Sequence, residues 1–110
     1  MGGELKPAAT PGAPRFIVSA LKDPASAWLQ RIQIIKGWIR DGIAQERVFD
    51  VACADGFAVD PLSHRCPDNR ARVDLKTCEY DRERGAVELS AQWTDPEFDP
   101  AAPAFYYARV

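Results

Sequence analysis

The chain has 110 residues, 46% of them hydrophobic and 27% charged, which matches one globular domain and excludes a disordered tail or two independent domains. Fourteen lysines and arginines against sixteen aspartates and glutamates leave a formal charge of -2, too balanced to signal nucleic acid or an anionic membrane as partner. No apolar run approaches the ~18 residues that a membrane-spanning helix needs.

Residues 1–14 read as a flexible linker or arm. Met1 to Lys6 lacks the basic start and apolar core of a secretory signal, and Pro7, Pro11, Gly12 and Pro14 follow with no periodicity. Residues 15–110 read as a β module. Arg15 to Leu21 is a first strand with Phe16, Val18 and Ala20 on one face, stopped by Asp23-Pro24. From Leu29 to Ile39 two periods compete: Ile32, Ile34 and Trp38 alternate as in a strand, whereas Trp28, Ile32, Ile35 and Ile39 fall at helical spacing. The β-branched isoleucines and Gly37 favour a second strand, with a helix over residues 25–40 as the alternative.

Asp41-Gly42 sits where a tight hairpin would turn, and the alternation from Arg47 to Cys53 then gives a third, antiparallel strand with Phe49, Val51 and Cys53 on one side. From Ala54 to Arg72 the chain becomes polar and rich in turn residues, a long irregular excursion of a kind that compact domains usually tolerate only when it is functional or stapled. Val73, Leu75 and Thr77 suggest a short fourth strand. Val87, Leu89, Ala91 and Trp93 alternate without fault against Glu88, Ser90 and Gln92 to give a fifth, and the aromatic run from Phe105 completes a sixth. The expected fold is therefore mainly β, a single antiparallel sandwich-like or open-barrel module of about six strands with a long irregular loop.

Cys53, Cys66 and Cys78 match no zinc spacing, and His64 is the only histidine. An odd count suits one disulfide plus a thiol. A Cys66–Cys78 bond would close the Pro67 to Thr77 segment, and a Cys53–Cys66 bond would clamp the excursion; spacing does not choose between them. His64 could act as a base only with Ser63, Asp60 or Asp68 brought to it, and a solvated loop histidine is the commoner outcome. Asp95, Glu97 and Asp99 are weak candidates for a hard-cation site such as calcium, although the loop lacks EF-hand spacing and Asp-Pro pairs ordinarily start turns. Arg31, Lys36, Arg40 and Arg47 are interleaved with Asp41, Glu46 and Asp50, which reads as a mixed-charge solvated face. Trp28, Trp38, Tyr106 and Tyr107 could form an aromatic ligand platform, but read first as core. No catalytic residue and no cofactor is expected from these patterns.

Arg31 to Trp38 followed by Val48 to Ala52, then Arg65-Cys66-Pro67-Asp68-Asn69, Glu88-Leu89-Ser90 leading into Trp93-Thr94-Asp95-Pro96, and the closing Phe105 to Val110 together resemble the C-terminal part of a bacterial family catalogued as domain of unknown function 3604. That resemblance runs from about Arg15 to Val110. It implies a longer parent, often exported or periplasmic and related to metal-dependent hydrolases of the amidohydrolase-like kind. It also implies a further cysteine beyond the aromatic strand, leaving one of Cys53, Cys66 or Cys78 without a partner here. The expected role is a non-catalytic module that packs on or completes the parent. The alternative is an independent ligand- or calcium-binding module. Partners would be the remainder of the parent chain, or a second copy of the isolated fragment, with neither nucleic acid nor membrane.

Overall fold

The computed structural model describes residues 2–5 and 12–110; within the predicted arm, Met1 and residues 6–11 lie outside the described residues. Five strands form, β1 (Arg15–Leu21), β2 (Arg31–Arg40), β3 (Ile43–Cys53), β4 (Glu88–Thr94) and β5 (Ala104–Arg109), with no helix among the described residues. They make two antiparallel sheets, one of β1 and β4 and one in the order β3-β2-β5, which do not close into a barrel.

The β1–β4 pair follows the sequence pattern. Phe16 faces Trp93, Val18 faces Ala91 and Ala20 faces Leu89, so one face of the pair is apolar. Ile17 and Leu21 stand on the other face and are exposed. In the three-stranded sheet, Asp41 and Gly42 both take positive φ, 53° and 76°, and join Arg40 directly to Ile43 in a two-residue hairpin.

The run from Arg31 to Arg40 is a strand, not a helix, and its alternation fails because β2 is the central strand: Ile34, Ile35, Lys36 and Gly37 are all buried. Paired residues share a face, which puts Ile34, Lys36, Phe49 and Tyr106 on the side turned to the other sheet. There Phe49 meets Trp93 at 5.0 Å and Tyr106 meets Phe16 at 4.9 Å between ring centroids. Phe49, Ile32, Ile34 and Ile35 are the largest fully buried side chains, each worth about 1.5–3 kcal/mol of burial.

A register shift between Ile32 and Gln33 corrects the expected faces of β3. Ile32 pairs with Ala52 and Gln33 with Asp50, so Val51 has no partner across the ladder. Phe49 therefore shares its side with Ala52, and Cys53 lies on the other, where the simple alternation had placed Phe49 and Cys53 together.

The predicted fourth strand does not form. Only a single bridge, Val73 to Tyr80, remains there. The Asp74 carboxylate accepts from the amide of Lys76, and Cys78 takes a φ of 60°, so local turn contacts curl the segment before it can extend.

Candidate functional site

Polar groups converge in the excursion after β3. Its irregular backbone is fixed at three levels. Nearest the sheet, Cys53 and Cys66 are joined in a disulfide, which settles the pairing that spacing left open and leaves Cys78 free and exposed. Beside it the buried Asp50 accepts from Gln33 Nε2 at 2.6 Å, the Cys66 amide at 2.7 Å and Arg31 Nη1 at 3.1 Å, with Arg65 Nη1 at 3.6 Å. Burial opposes ionisation of Asp50, but the Cys66 amide, Gln33 and Arg31 together outweigh it and hold the carboxyl below its usual 3.8.

In the middle of the excursion Asp60 organises a turn, accepting from the Ser63 amide and hydroxyl at 2.6 and 2.7 Å. These bonds hold its carboxyl below the ordinary carboxylate range. At the far end the buried Asn69 accepts from Gln30 Nε2 at 2.8 Å and donates to Asp55 Oδ2 at 2.8 Å, while Asp55 Oδ1 takes the Gly85 amide at 2.9 Å. The Gly85 amide, with Asn69, lowers the Asp55 carboxyl. Gly85 has a φ of 117° and a Cβ there would fall 2.9 Å from the Leu29 carbonyl, so only glycine brings this amide so close. Asp55, His64 and Arg70 also sit at positive φ, at 58°, 56° and 60°. Such backbone persists where surrounding contacts over-determine it.

His64 is not the solvated loop residue expected. Its ring stands edge-on to Phe49 at 5.2 Å, and it is half-buried. Ser63 and Asp60, its expected catalytic partners, are occupied with each other, and Asp68 Oδ1 accepts from the Arg70 amide. The polar side chains of the excursion are thus engaged with one another and with neighbouring backbone.

The Asp95–Asp99 segment is likewise divided among protein partners. Asp95 is buried and its Oδ2 accepts from Lys36 Nζ and Tyr106 Oη, both at 2.7 Å, while Oδ1 accepts from the Glu97 amide. Lys36 Nζ also donates to the Glu97 carbonyl at 2.6 Å and lies 5.5 Å from the Trp38 ring centroid. Glu97 pairs with Arg47 at 3.2 Å, and Asp99 accepts from the Ala101 amide. The three carboxylates point to three different jobs, and no group of metal-ligating side chains occurs among the described residues.

The mixed-charge solvated face also needs correcting. Lys36 is buried against Asp95, and Arg31 is half-buried against Asp50; only Arg40 and Arg47 of the four stay exposed. The expected aromatic set splits in the same way. Tyr106, Trp28 and Trp38 are each half-buried, Tyr106 against Phe16 between the sheets, and Tyr107 stands out in solvent. Burial and the Asp95 acceptor push the Tyr106 phenol well above its ordinary value.

The outward side of the three-stranded sheet divides into two halves. Gln33 and Asp50 occupy the half at the excursion end, tied down by the bonds just described. The half near the hairpin carries Ile39, Phe105 and Tyr107 on one face, 63%, 61% and 46% exposed. The Phe105 ring lies directly over Gly37, occupying the space of any side chain there, and stacks with Tyr107 within 10° at a centroid distance of 6.4 Å. An open groove of about 390 Å³ runs beside it, walled by Ile39, Ala44, Pro103 and Phe105.

Sequence reasoning missed Asp50, Asn69 and the Lys36–Asp95–Tyr106 set. The signal for Asp50 and Lys36 was their placement inside apolar strands, Phe49-Asp50-Val51 and Ile35-Lys36-Gly37, where an ion must find a partner or stay wet. No helix among the described residues is long and apolar enough to cross a membrane, and the disulfide suits an oxidising compartment. No curated protein and no solved structure matches the chain. The family described as Protein of unknown function (DUF3604) does match, over residues 1–110 and thus from end to end, and the chain belongs to that family.

Proposed function

We propose that the chain is a non-catalytic β module of a larger, exported protein, packing on another folded part of that protein and helping to complete it. The parent is read as a metal-dependent hydrolase, whose catalytic groups lie outside these residues. The observation that carries the packing role is the bare hairpin-end half of the outer sheet face, where Ile39, Phe105 and Tyr107 stand together in solvent. Scattered exposed apolar residues are ordinary, but a contiguous aromatic and aliphatic set on one sheet face marks a surface that another body covers. The same half includes β5, which pairs with β2 alone and so has one unpaired edge among the described residues. The polar excursion end, by contrast, has its hydrogen-bonding groups already satisfied.

Hydroxyl-radical footprinting of the longer parent beside the 110-residue chain tests this reading. Phe105 and Tyr107 should be labelled in the short chain and protected in the parent, while Ile17 and Leu21 on the opposite outer face serve as internal references. Equal labelling of Phe105 and Tyr107 in both would refute it.

A further inference from the structure

Three cysteines pose a selection problem that chain entropy does not solve. Cys53 and Cys66 are 13 residues apart, and Cys66 and Cys78 are 12 apart. Closure entropy varies only with the logarithm of loop length, so the two cross-links are nearly equivalent in an unfolded chain. Yet Cys66 is joined to Cys53, and Cys78 is free. Contacts that do not involve sulfur must make the choice.

Asp50 supplies them. Its carboxylate accepts the Cys66 amide at 2.7 Å and is itself aimed by Gln33 at 2.6 Å and Arg31 at 3.1 Å, both on β2. Its own amide donates to the His64 carbonyl at 2.9 Å. One residue of β3 therefore grips the returning chain at positions 64 and 66, three residues before Cys53 in the same strand. The competing thiol is held elsewhere by a turn complete in itself: the Cys78 amide donates to the Asp74 carbonyl and the Asp74 amide to the Glu79 carbonyl, both at 2.8 Å.

We propose that Asp50 is a positioning residue for disulfide formation, a non-covalent template that seats Cys66 beside Cys53 before the bond closes, keeps Cys78 out, and holds the excursion in place when the bond is reduced. With oxidised glutathione as oxidant, one cysteine thiolate attacks the glutathione disulfide, forming a mixed disulfide and releasing one glutathione. The second cysteine, having lost its proton, then attacks the mixed disulfide and releases the other. Two protein thiols give up two electrons and two protons, and the oxidant is reduced to two glutathiones. Asp50 exchanges no electrons; it sets which two sulfurs meet.

The test is oxidative refolding of the reduced chain in a glutathione buffer, with the disulfides mapped by peptide mass spectrometry. The unaltered chain should return to Cys53–Cys66 with Cys78 free. Asp50→Ala should raise the share of Cys66–Cys78 and Cys53–Cys78 forms about tenfold, the scale of one lost hydrogen bond to a charged group. Tyr106→Phe, which weakens a contact remote from the cysteines, should keep the native pairing. Native pairing in Asp50→Ala, or equal scrambling in Tyr106→Phe, overturns the proposal. A second measurement does not depend on Asp50→Ala folding: in a Cys53→Ser, Cys66→Ser chain the amide at position 66 should still exchange slowly with deuterium. Exchange there at the rate of an unstructured chain overturns the proposal as well.

Discussion

Asp50 and Asp95 are both carboxylates with fully buried side chains, and each is met by a cation, yet they belong to different kinds of knot. Asp95 joins the two sheets: Lys36 comes from β2, Tyr106 from β5, and Asp95 itself follows β4. Its cation is nearly as buried as it is, with 7% of the Lys36 side chain exposed. Asp50 joins a loop to a sheet, and its cations keep contact with water, Arg31 at 25% and Arg65 at 50% exposed. Half of what Asp50 holds is neutral, the Gln33 amide and the Cys66 amide. The difference lies in what remains after the carboxylate is removed. Loss of Asp95 strands an ammonium inside the protein, whereas loss of Asp50 frees guanidiniums that can turn to solvent.

Asp95→Ala should accordingly be the most damaging single change at either knot, costing about 3–5 kcal/mol in urea unfolding. A Lys36→Met, Asp95→Leu double variant should recover most of that loss, since it removes both charges and leaves apolar volume between the sheets. A double variant no more stable than Asp95→Ala would show that shape, not the stranded charge, sets the cost.

Asp50→Ala should cost less, about 2–3 kcal/mol, the scale of hydrogen bonds to a charged group. This knot should also carry a pH signature. The native Asp50 carboxyl lies below its ordinary 3.8, so its stabilisation is complete above that value and is lost as pH falls through the lower native one. The stability gap between the unaltered chain and Asp50→Asn, measured in urea near neutrality and again in strong acid, should therefore close in acid. A gap that stays constant with pH would mean that the ionised form is not what holds the excursion.

How much of this could be read from sequence differs between the same two regions. β1 and β4 were legible because each has one wet face, so the period of two survives in the residue order from Phe16 to Ala20 and from Leu89 to Trp93. The centre of β2 is covered on both faces, and there the period vanishes from both burial and composition. The Val73 to Thr77 alternation was too short to outweigh the Asp74 turn. The two buried aspartates were opaque for a further reason: the side chains that meet them lie 11 to 59 positions away, and no local pattern encodes such a partner. The Cys53–Cys66 clamp was half-legible, because the two cysteines bracket most of the excursion, but choosing Cys53 over Cys78 depends on the seat that Asp50 makes.

The bare half of the sheet gives a milder contrast with both knots. Gly37→Ala places a methyl group where the Phe105 ring lies, and should cost about 1–3 kcal/mol through overpacking. Because Phe105 is mostly exposed, the ring has room to leave, and Gly37→Ala in a Phe105→Ala background should cost markedly less. Thermal denaturation of the four chains completes that cycle. Strictly additive losses would show that the glycine is required for a reason other than the ring.

Tyr106→Phe should have the smallest effect and separates the parts of the Asp95 knot. Deleting the hydroxyl removes one of the donors to Asp95 Oδ2, but Lys36 still binds that oxygen and the Glu97 amide still binds Oδ1, so the loss near neutrality should be about 0.5–1.5 kcal/mol. At high pH the order should narrow and then reverse. Burial and the adjacent carboxylate raise the native phenol well above its ordinary 10.0, so the folded chain keeps a proton that the unfolded chain gives up. Stability then falls as pH rises past the unfolded value, a penalty that phenylalanine does not incur. Urea midpoints for the two chains should therefore converge above about pH 10. If they stay parallel, the hydroxyl is not held as a neutral donor to Asp95, and the inter-sheet knot reduces to the Lys36–Asp95 pair.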